Sequence, residues 1–324
     1  MDNMGNPLIS IYVPCHNGEQ YLARCLDSIL AQIFRNFEVI VIDNLSTDNS
    51  LSVAQSYAGR DSRIRIEKCE RPGLSAVRNE ALKYVRGEWI TSVDCDDEIS
   101  KRYLSVLISE AMSSGADMVM GGTVCINENR GTKRYTHVPD KTFEDAETAE
   151  MFFLRQGKRM NHIWGKLYRK ELFDKIRFPE GKGYEDLAVM PYILKRAAGV
   201  RLVDEPLYYY YIHSDSITGR CFLPCDLDGL YHRLDVSKMI GTDFPQLTEF
   251  ADDCVLDFSF YLLGRISDAG YKKYRKEAEV VVDAIKKAAK TAAFDNRAYR
   301  PAVFLVRFLP RVAGKLFSIY SSRR

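Results

Sequence analysis

The 324-residue sequence lacks the common phosphate-binding loops, because neither GxGxxG nor GxxxxGK[ST] occurs in it. This argues against a dinucleotide oxidoreductase and against a P-loop nucleoside triphosphatase. There is no CxxC pair among the eight cysteines, and no apolar run approaches the ~18 residues needed to cross a bilayer. Without a secretory leader, scattered cysteines of this kind are expected as free thiols in a cytoplasmic protein.

An excess of one charge is also missing, because the formal net charge is only +2. Bulk electrostatics therefore indicates no particular partner. Basic residues are not interleaved with stacking aromatics around a recognisable module, so no nucleic-acid partner is expected.

The C-terminal segment 297–324 departs from this balance, since it carries Lys and Arg but no Asp or Glu. Its cations recur close to one helical face at Arg300, Arg307, Arg311 and Lys315, and Phe and Leu residues lie between them. This pattern predicts a basic amphipathic helix on an anionic membrane surface, at the inner face of the cell membrane. The alternative is a helix that packs on the rest of the protein with solvated basic residues.

The first hundred residues alternate strand and helix signals. Apolar and β-branched runs end near Val13, Ile42, Glu67 and Val93, with helical stripes between them. This spacing predicts βαβ units and a parallel sheet. Past residue 222 strand signals give way to helical stripes, so we expect an α/β domain over residues 1–222 and an α-helical domain over residues 223–324.

Acidic side chains follow the fourth predicted strand directly, at Asp94, Asp96 and Asp97. Carboxylates this close repel one another unless they share something positive. Oxygen ligands alone suit Mg²⁺ or Mn²⁺. The alternative is a polar loop followed by a helix N-terminus, with Asp97 or Ser100 as the cap.

Polar residues also follow the first two predicted strands, at 14–17 and 43–44. Ligands gather at the carboxyl ends of the strands in parallel sheets, so we expect these segments and the acidic cluster to form one site.

Six segments in order within residues 8–220 resemble motifs of glycosyltransferase family 2. They are Val13-Pro-Cys-His-Asn17, Asp43-Asn-Leu-Ser-Thr-Asp48, Gly73-Leu-Ser-Ala-Val-Arg-Asn79, Asp94-Cys-Asp-Asp97, Trp164-Gly-Lys-Leu-Tyr168 and Glu185-Asp186. The resemblance implies the GT-A fold of bacterial polysaccharide-building enzymes. This fold is an α/β, Rossmann-like, mostly parallel sheet with helices on both faces, here followed by a C-terminal α-helical domain.

The resemblance further implies an inverting, metal-dependent transfer from a nucleoside-diphosphate sugar, with a UDP-sugar expected, to a hydroxyl of a glycan or lipid-linked glycan. Asp96 and Asp94 would hold Mn²⁺ or Mg²⁺. The implied donor-binding residues are Pro14, Asn17, Asp43, Asn44, Arg78, Asp94, His213 and Ser216. The alternatives are a turn residue at Asn44, a surface arginine at Arg78 and a surface histidine at His213.

Asp186 is the implied general base, and Glu185 would orient the base or the acceptor. Trp164, Lys166 and Glu185 are placed on the acceptor side. The loop before Glu185 is expected to be mobile, and Asp186 is expected at a helix N-terminus, where capping alone would also explain it.

Three positions depart from the family's pattern. Asn44 and Leu45 replace Asp and Gly, and Tyr211 stands where an arginine that meets the diphosphate is expected. These departures keep open a catalytically impaired nucleotide-sugar-binding protein. A sugar-nucleotide pyrophosphorylase is the other alternative, although the glycine-rich basic loop expected of it is missing after Pro14.

Overall fold

The computed structural model describes residues 7–156, 160–213, 221–294 and 299–321. The chain forms two compact units. The first comprises Met1–Ala149, His162–Gly181 and Tyr192–Ser216, and the second comprises Glu150–Asn161, Lys182–Pro191 and Ile217–Arg324. The domain boundary at residue 222 stays a prediction.

A ten-stranded mixed sheet forms the first unit. Its strands are β1 (Ile9–Cys15), β2 (Phe37–Asp43), β3 (Ile64–Lys68), β4 (Trp89–Ser92), β5 (Glu98–Ile99), β6 (Met118–Asn127), β7 (Thr132–Thr136), β8 (Lys141–Phe143), β9 (Lys166–Arg169) and β10 (Val200–Ile212). The sheet order is β3-β2-β1-β4-β9-β6-β10-β5, with β7 paired to β6 and β8 to β10.

Helices α1 (Leu22–Leu30), α2 (Ser50–Ala58), α3 (Leu74–Tyr84) and α4 (Tyr103–Ser114) belong to the first unit. Helices α5 (Ala146–Gln156) and α6 (Glu185–Arg196) contribute residues to both units. The second unit also contains α7 (Leu227–Asp243), α8 (Thr248–Gly270), α9 (Arg275–Ala288), α10 (Tyr299–Phe308) and α11 (Pro310–Ser321).

The predicted alternation in the first hundred residues is confirmed. Strands β1, β2 and β3 pair in parallel, and β4 pairs in parallel with β1. Every residue of β1 and β2 is buried, which explains why apolar residues predominate in both strands. The remaining sheet is more mixed than a simple βαβ series, because β9 pairs antiparallel with both β4 and β6.

The sheet order positions three loops at one edge. Strands β2 and β4 lie on either side of β1 and run parallel to it, so all three carboxyl ends face the same way. Asp43 lies opposite Cys15 in the register, and the N–H of Val93 donates to the carbonyl of Tyr12. The segments after these strands therefore meet, as the sequence predicted.

The second unit packs around α8, whose 23 residues include a long buried face. Val255, Phe258, Leu262 and Ile266, which recur at helical spacing, are all buried. Within the part of the chain that the structure describes, no helix is both long and apolar enough to cross a membrane.

A buried acid in the second unit gives a test of stability against pH. Glu150 on α5 is 1% exposed, and burial raises its pKa to about 8 even though Arg233 opposes the shift. The native state therefore holds a proton that the unfolded chain releases above its usual carboxyl pKa. The stability contribution of Glu150 is complete at acidic pH and is lost as the pH rises toward 8.

We expect the free energy of unfolding to fall between pH 5 and 8 by up to ~1.4 kcal/mol per pH unit because of this group. The Glu150→Gln variant should remove that slope, and Glu147→Gln on the same helix is the matched control. Urea unfolding at several pH values measures the pH dependence of the free energy of unfolding in both variants and in the wild type. Equal slopes in the wild type and in Glu150→Gln would contradict the assignment.

Candidate functional site

The acidic cluster after β4 divides into two kinds of carboxylate. Asp97 is fully buried, and its two oxygens accept hydrogen bonds from the hydroxyl of Tyr208 at 2.7 Å and the N–H of Tyr211 at 2.8 Å. Burial raises the pKa of Asp97 well above its usual range, and the charges of Asp94 and Asp96 add to the shift. These bonds anchor the loop to β10. The expected helix cap is wrong, because the N-cap residue of α4 is Arg102 and not Asp97 or Ser100.

Asp94 and Asp96 are the partly exposed carboxylates of this loop. The N–H of Asp94 donates to the hydroxyl oxygen of Tyr208 at 3.2 Å. Tyr208 thus links Asp94 and Asp97 through one hydroxyl group. The tyrosines at positions 208–211 lie on the half-buried end of β10, and the buried Tyr208 orients the acids.

Asp43 ends β2 and is 8% exposed. Its Oδ1 atom accepts no hydrogen bond from the residues that the structure describes. A buried acceptor without a partner costs about 1–3 kcal/mol. The arrangement is suited to a ligand that donates a hydrogen bond at this edge of the sheet.

The loops after β1 and β2 are joined through Asn17. Its Oδ1 accepts the N–H of Thr47 at 2.8 Å, and its own N–H donates to the Ser46 hydroxyl at 3.1 Å. Asn17 has a φ of 53° and is exposed, whereas Pro14 is buried at the end of β1. Asn17 therefore stabilises the edge of the sheet at which a nucleotide-sugar donor would bind.

Asn44 holds the segment that leads into α3. Its amide group donates to the carbonyls of Cys69 at 2.9 Å and Arg71 at 2.8 Å, and its Oδ1 accepts the N–H of Gly73 at 2.9 Å. The side chain thereby fixes the start of α3, and the predicted contact between Asn44 and a nucleobase stays a prediction. Leu45 beside it has a φ of 56°, in the region that favours the family's glycine.

Changing Asn44 to the family's aspartate is expected to destabilise the protein, although it restores the motif. An ionised carboxylate donates no hydrogen bond, so two carbonyls would lose their donors and face a negative charge. We expect a loss of about 1–3 kcal/mol in the free energy of unfolding, measured in urea. Asn36→Asp, at an exposed position, is the control. A fully stable Asn44→Asp protein would refute the loop-holding role.

Arg78 on α3 is 2% exposed, with its guanidinium carbon 5.5 Å from the centre of the Phe178 ring. The alternative of an ordinary surface arginine is therefore wrong. Asn79 beside it exchanges two hydrogen bonds with the backbone of Phe178, both at 2.9 Å. These contacts fix α3 in the first unit.

Trp164 lies in a stack of rings. Its ring centre is 3.6 Å from that of His162, 4.5 Å from Tyr208 and 5.2 Å from Tyr210. Lys166 is fully buried, and its Nζ contacts the His162 ring at 2.9 Å and also donates to the His162 carbonyl. Lys166 thus holds the ring next to Trp164, and the acceptor contacts of Trp164 and Lys166 stay predictions.

His213 is also integrated into the fold. Its Nδ1 lies 3.0 Å from Oε2 of Glu128, and its ring stacks on Tyr21 with the centres 4.3 Å apart. Because only 9% of the side chain is exposed, the surface-histidine alternative is wrong. The other predicted residue of this segment, Ser216, lies outside the described residues.

Glu185 and Asp186 lie in the second unit, in the first turn of α6. The predicted helix start is confirmed, and Pro191 is accommodated inside the helix. Oδ1 of Asp186 accepts the N–H of Leu187 at 2.8 Å. The N–H groups of a first helical turn interact favourably with negatively charged side chains.

The segment before this turn is anchored, contrary to the expected mobile loop. Asp228 on α7 accepts the N–H of Gly183 and the ammonium of Lys182, both at 3.1 Å. His232 contacts the Gly183 carbonyl at 3.1 Å, and the Tyr184 ring packs edge-on against Phe258. Sequence patterns do not reveal these contacts, because Asp228 is more than 40 positions away along the chain.

Comparison with known proteins now decides the family. The sequence profile described as Glycosyl transferase family 2 matches residues 10–177, more than half of the chain. The chain belongs to glycosyltransferase family 2. The glycosyltransferase GlyA of Streptococcus pneumoniae is 32% identical over 218 residues, which cover 65% of this chain and 31% of GlyA. This chain therefore matches less than a third of that relative.

Two solved structures show the fold of this family 2 protein. TarS residues 1–349 of S. aureus, in complex with UDP-GlcNAc, give a TM-score of 0.70 at 20% identity over 97% of this chain and 91% of TarS. The mannosyltransferase PcManGT of Pyrobaculum calidifontis, in complex with GDP-Man and Mn²⁺, gives a TM-score of 0.53 at 16% identity over 98% of this chain and 85% of PcManGT. The predicted GT-A fold is confirmed.

The chemistry of the acidic loop fits the divalent cation that this fold implies. Asp94 and Asp96 offer partly exposed carboxylates, whereas Asp97 is committed to Tyr208 and Tyr211. Across the described ranges, no three His, Cys, Asp or Glu residues are grouped as a metal site. Two carboxylates suit Mg²⁺ or Mn²⁺, which commonly complete their coordination with phosphate oxygens and water.

Proposed function

We propose that this protein is an inverting glycosyltransferase that moves a sugar from a nucleoside-diphosphate sugar to a hydroxyl of a glycan or lipid-linked glycan. Family membership supports sugar transfer, and bacterial polysaccharide synthesis is the proposed setting. The observation that carries the proposal is the edge formed by β2, β1 and β4. There, Asp43 ends β2 with a buried oxygen that has no hydrogen-bond partner among the described residues. The partly exposed acids Asp94 and Asp96 follow β4, on the other side of β1.

The donor is proposed to place its base at the ends of β1 and β2. Oδ1 of Asp43 would accept an imino N–H, such as that of uracil, because Asn44 directs its amide to the backbone. The UDP-GlcNAc bound by TarS supports a UDP-sugar. Arg78 would place its fixed charge toward the diphosphate or an aspartate.

Asp94 and Asp96 are the proposed holders of Mn²⁺ or Mg²⁺, in line with the Mn²⁺ in the mannosyltransferase complex. When bound, such a cation stabilises negative charge on the departing diphosphate. The protein contributes fixed geometry, because the two hydrogen bonds to Asp97 anchor the loop that carries both acids.

Asp186 is the proposed general base. It would take the proton from the acceptor hydroxyl as that oxygen attacks the anomeric carbon and the nucleoside diphosphate departs. One displacement of this kind inverts the anomeric configuration. Glu185 would orient the acceptor.

A donor panel tests this proposal. The protein is incubated with Mn²⁺, a range of glycan acceptors and individual UDP-, GDP- and dTDP-sugars, and nucleoside diphosphate release is measured. We expect metal-dependent release from one donor class. Saturable donor binding without turnover across all acceptors would favour the impaired binding protein, and formation of nucleoside triphosphate from pyrophosphate would favour the pyrophosphorylase.

We also propose that α10 and α11 dock the protein peripherally on anionic lipid at the cytoplasmic face of a membrane. One face of these helices is buried in the second unit, through Val303, Val306 and Ala313. The other face leaves apolar side chains about half to two-thirds exposed. These are Phe304 (66%), Phe308 (68%), Leu309 (53%), Val312 (45%) and Leu316 (56%).

Charge complementarity supports lipid as the partner. Arg300, Arg307, Arg311 and Lys315 are exposed on the same two helices, and neither helix contains an acidic residue. Exposed aromatic and aliphatic side chains with adjacent cations match the interface of an anionic bilayer.

Replacing Phe304 and Phe308 together with serine is expected to weaken binding to phosphatidylglycerol-rich vesicles at least about tenfold, because each buried Phe contributes about 1.5–3 kcal/mol. The buried face is untouched, so the second unit should remain folded. Met112→Ser, at an exposed position on α4, is the control. Vesicle flotation of the full chain measures binding, and unchanged flotation of the double variant would discard the membrane proposal.

A further inference from the structure

Arg24 on α1 reaches the loop that carries the proposed metal ligands. Its Nη2 donates to the backbone carbonyl of Asp96 at 3.0 Å. Its Nε lies 3.2 Å from Oε1 of Glu98, and its Nη1 lies 3.1 Å from Oε1 of Glu128. Each guanidinium nitrogen therefore contacts a different residue, and two of these residues, Asp96 and Glu98, lie in the acidic segment 94–98.

Tyr211 holds this arginine from the other side. The guanidinium carbon of Arg24 lies 3.8 Å from the centre of the Tyr211 ring, a close cation–π contact. The Tyr211 hydroxyl donates to the same Glu98 oxygen that Arg24 contacts, and the Tyr211 N–H donates to Asp97. Arg24 and Tyr211 thus bind one another and the same loop.

The C-terminal part of the loop is consequently held by two different elements. Asp97 is fixed by Tyr208 and Tyr211 of β10, whereas the peptide carbonyl of Asp96 is fixed by Arg24 of α1. Acids crowded into residues 94–98 repel one another, and the Arg24 cation beside them reduces that repulsion. Without it, the backbone at Asp96 would lose its bond to α1.

We propose that Arg24 is a positioning residue that holds Asp96 in the orientation required to bind a divalent cation together with the donor diphosphate. This inference rests on the proposed function. A lysine would keep the charge but could not make the three contacts of the planar guanidinium at once. Arg24 acts through the backbone of Asp96 and is assigned no contact with the sugar.

Direct measurement of Mn²⁺ binding tests this role independently of turnover. Free Mn²⁺ is quantified by its electron paramagnetic resonance signal in the presence of UDP. We expect Arg24→Met to raise the Mn²⁺ dissociation constant about 10- to 100-fold, as is typical when a residue that orients a ligand is lost. The Mn²⁺ dissociation constant of Arg24→Lys should lie between those of the wild type and Arg24→Met. At saturating Mn²⁺, kcat should stay within about threefold of the wild type, since the reacting groups are unchanged.

Two further variants keep the test decisive if Arg24→Met folds poorly. Tyr211→Leu removes the surface on which Arg24 stacks and should weaken Mn²⁺ binding in the same direction. Combined with Arg24→Lys, its effect should be less than additive, because the two residues act as one unit. Arg60→Met is the matched control. Arg60 follows the C-terminus of α2, and its guanidinium carbon also lies over a tyrosine ring, 5.8 Å from the centre of Tyr57.

Wild-type Mn²⁺ affinity in Arg24→Met or in Tyr211→Leu would overturn the role of Arg24 and leave the proposed function standing. Failure of the unmodified protein to bind Mn²⁺ with UDP, GDP or dTDP would overturn the metal-dependent function and the inference with it. A lower melting temperature with unchanged Mn²⁺ affinity would assign Arg24 a purely structural role and reject positioning.

Discussion

Replacing Asp96 with alanine is expected to lower nucleoside diphosphate release about a thousandfold. The partly exposed carboxylate lies in the loop after β4, which pairs in parallel with β1, and its loss would remove one of the two proposed metal ligands. Stabilising charge on a leaving diphosphate contributes several kcal/mol, and each 1.36 kcal/mol corresponds to a factor of ten in rate.

The measurement is donor turnover across a range of Mn²⁺ concentrations, with melting temperature as a check on folding. Asp174→Asn is the control, because Asp174 is exposed elsewhere in the first unit. Melting should change little in Asp96→Ala, since Asp97 provides the anchoring hydrogen bonds of the loop. Turnover within tenfold of the wild type would remove Asp96 from the metal site.

Asp186→Asn is expected to reduce kcat for sugar transfer by about 10²–10⁴, the usual contribution of a general base. The amide keeps the size of the side chain and can still accept the Leu187 N–H, so α6 should begin as before. Donor affinity should be unchanged because Asp186 is assigned only to the acceptor hydroxyl. This separates it from Asp96, whose loss should weaken binding of the metal and donor together.

Donor binding by calorimetry and transfer by product analysis distinguish these two effects. Asp235→Asn, at an exposed position on α7, is the control in the same unit. Glu185→Gln should raise the acceptor KM more than it lowers kcat if Glu185 orients the acceptor. Full transfer activity in Asp186→Asn would refute its assignment as the base.

The departures from the family pattern acquire a physical meaning in the structure. Asn44 is suited to its position because the carbonyls of Cys69 and Arg71 require a donor, which an ionised aspartate lacks. Tyr211 supplies a ring on which Arg24 stacks, so a cation is present beside the loop although it comes from helix α1 and not from strand β10. These substitutions are accompanied by compensating contacts and do not by themselves indicate lost function.

Local patterns in the sequence were sufficient for the elements that carry the site. The buried strands β1, β2 and β4 are recognisable from short apolar runs, and the start of α6 from Glu185 and Asp186. Parallel pairing then places the strand ends together, because βαβ connections leave few other arrangements. Family motifs added the roles of Asp96 and Asp186, which remain proposals.

Tertiary structure alone decided which of these side chains are committed to the fold. Asp97, Lys166 and His213 look like ligands along the chain, yet each is bound to partners from other segments. Arg24 is the opposite case: along the chain it is only a polar position of helix α1, yet the fold brings it to the loop that carries the proposed metal ligands. Sequence patterns record which face of an element is apolar, whereas the partner of a polar side chain depends on residues far along the chain that meet only after folding.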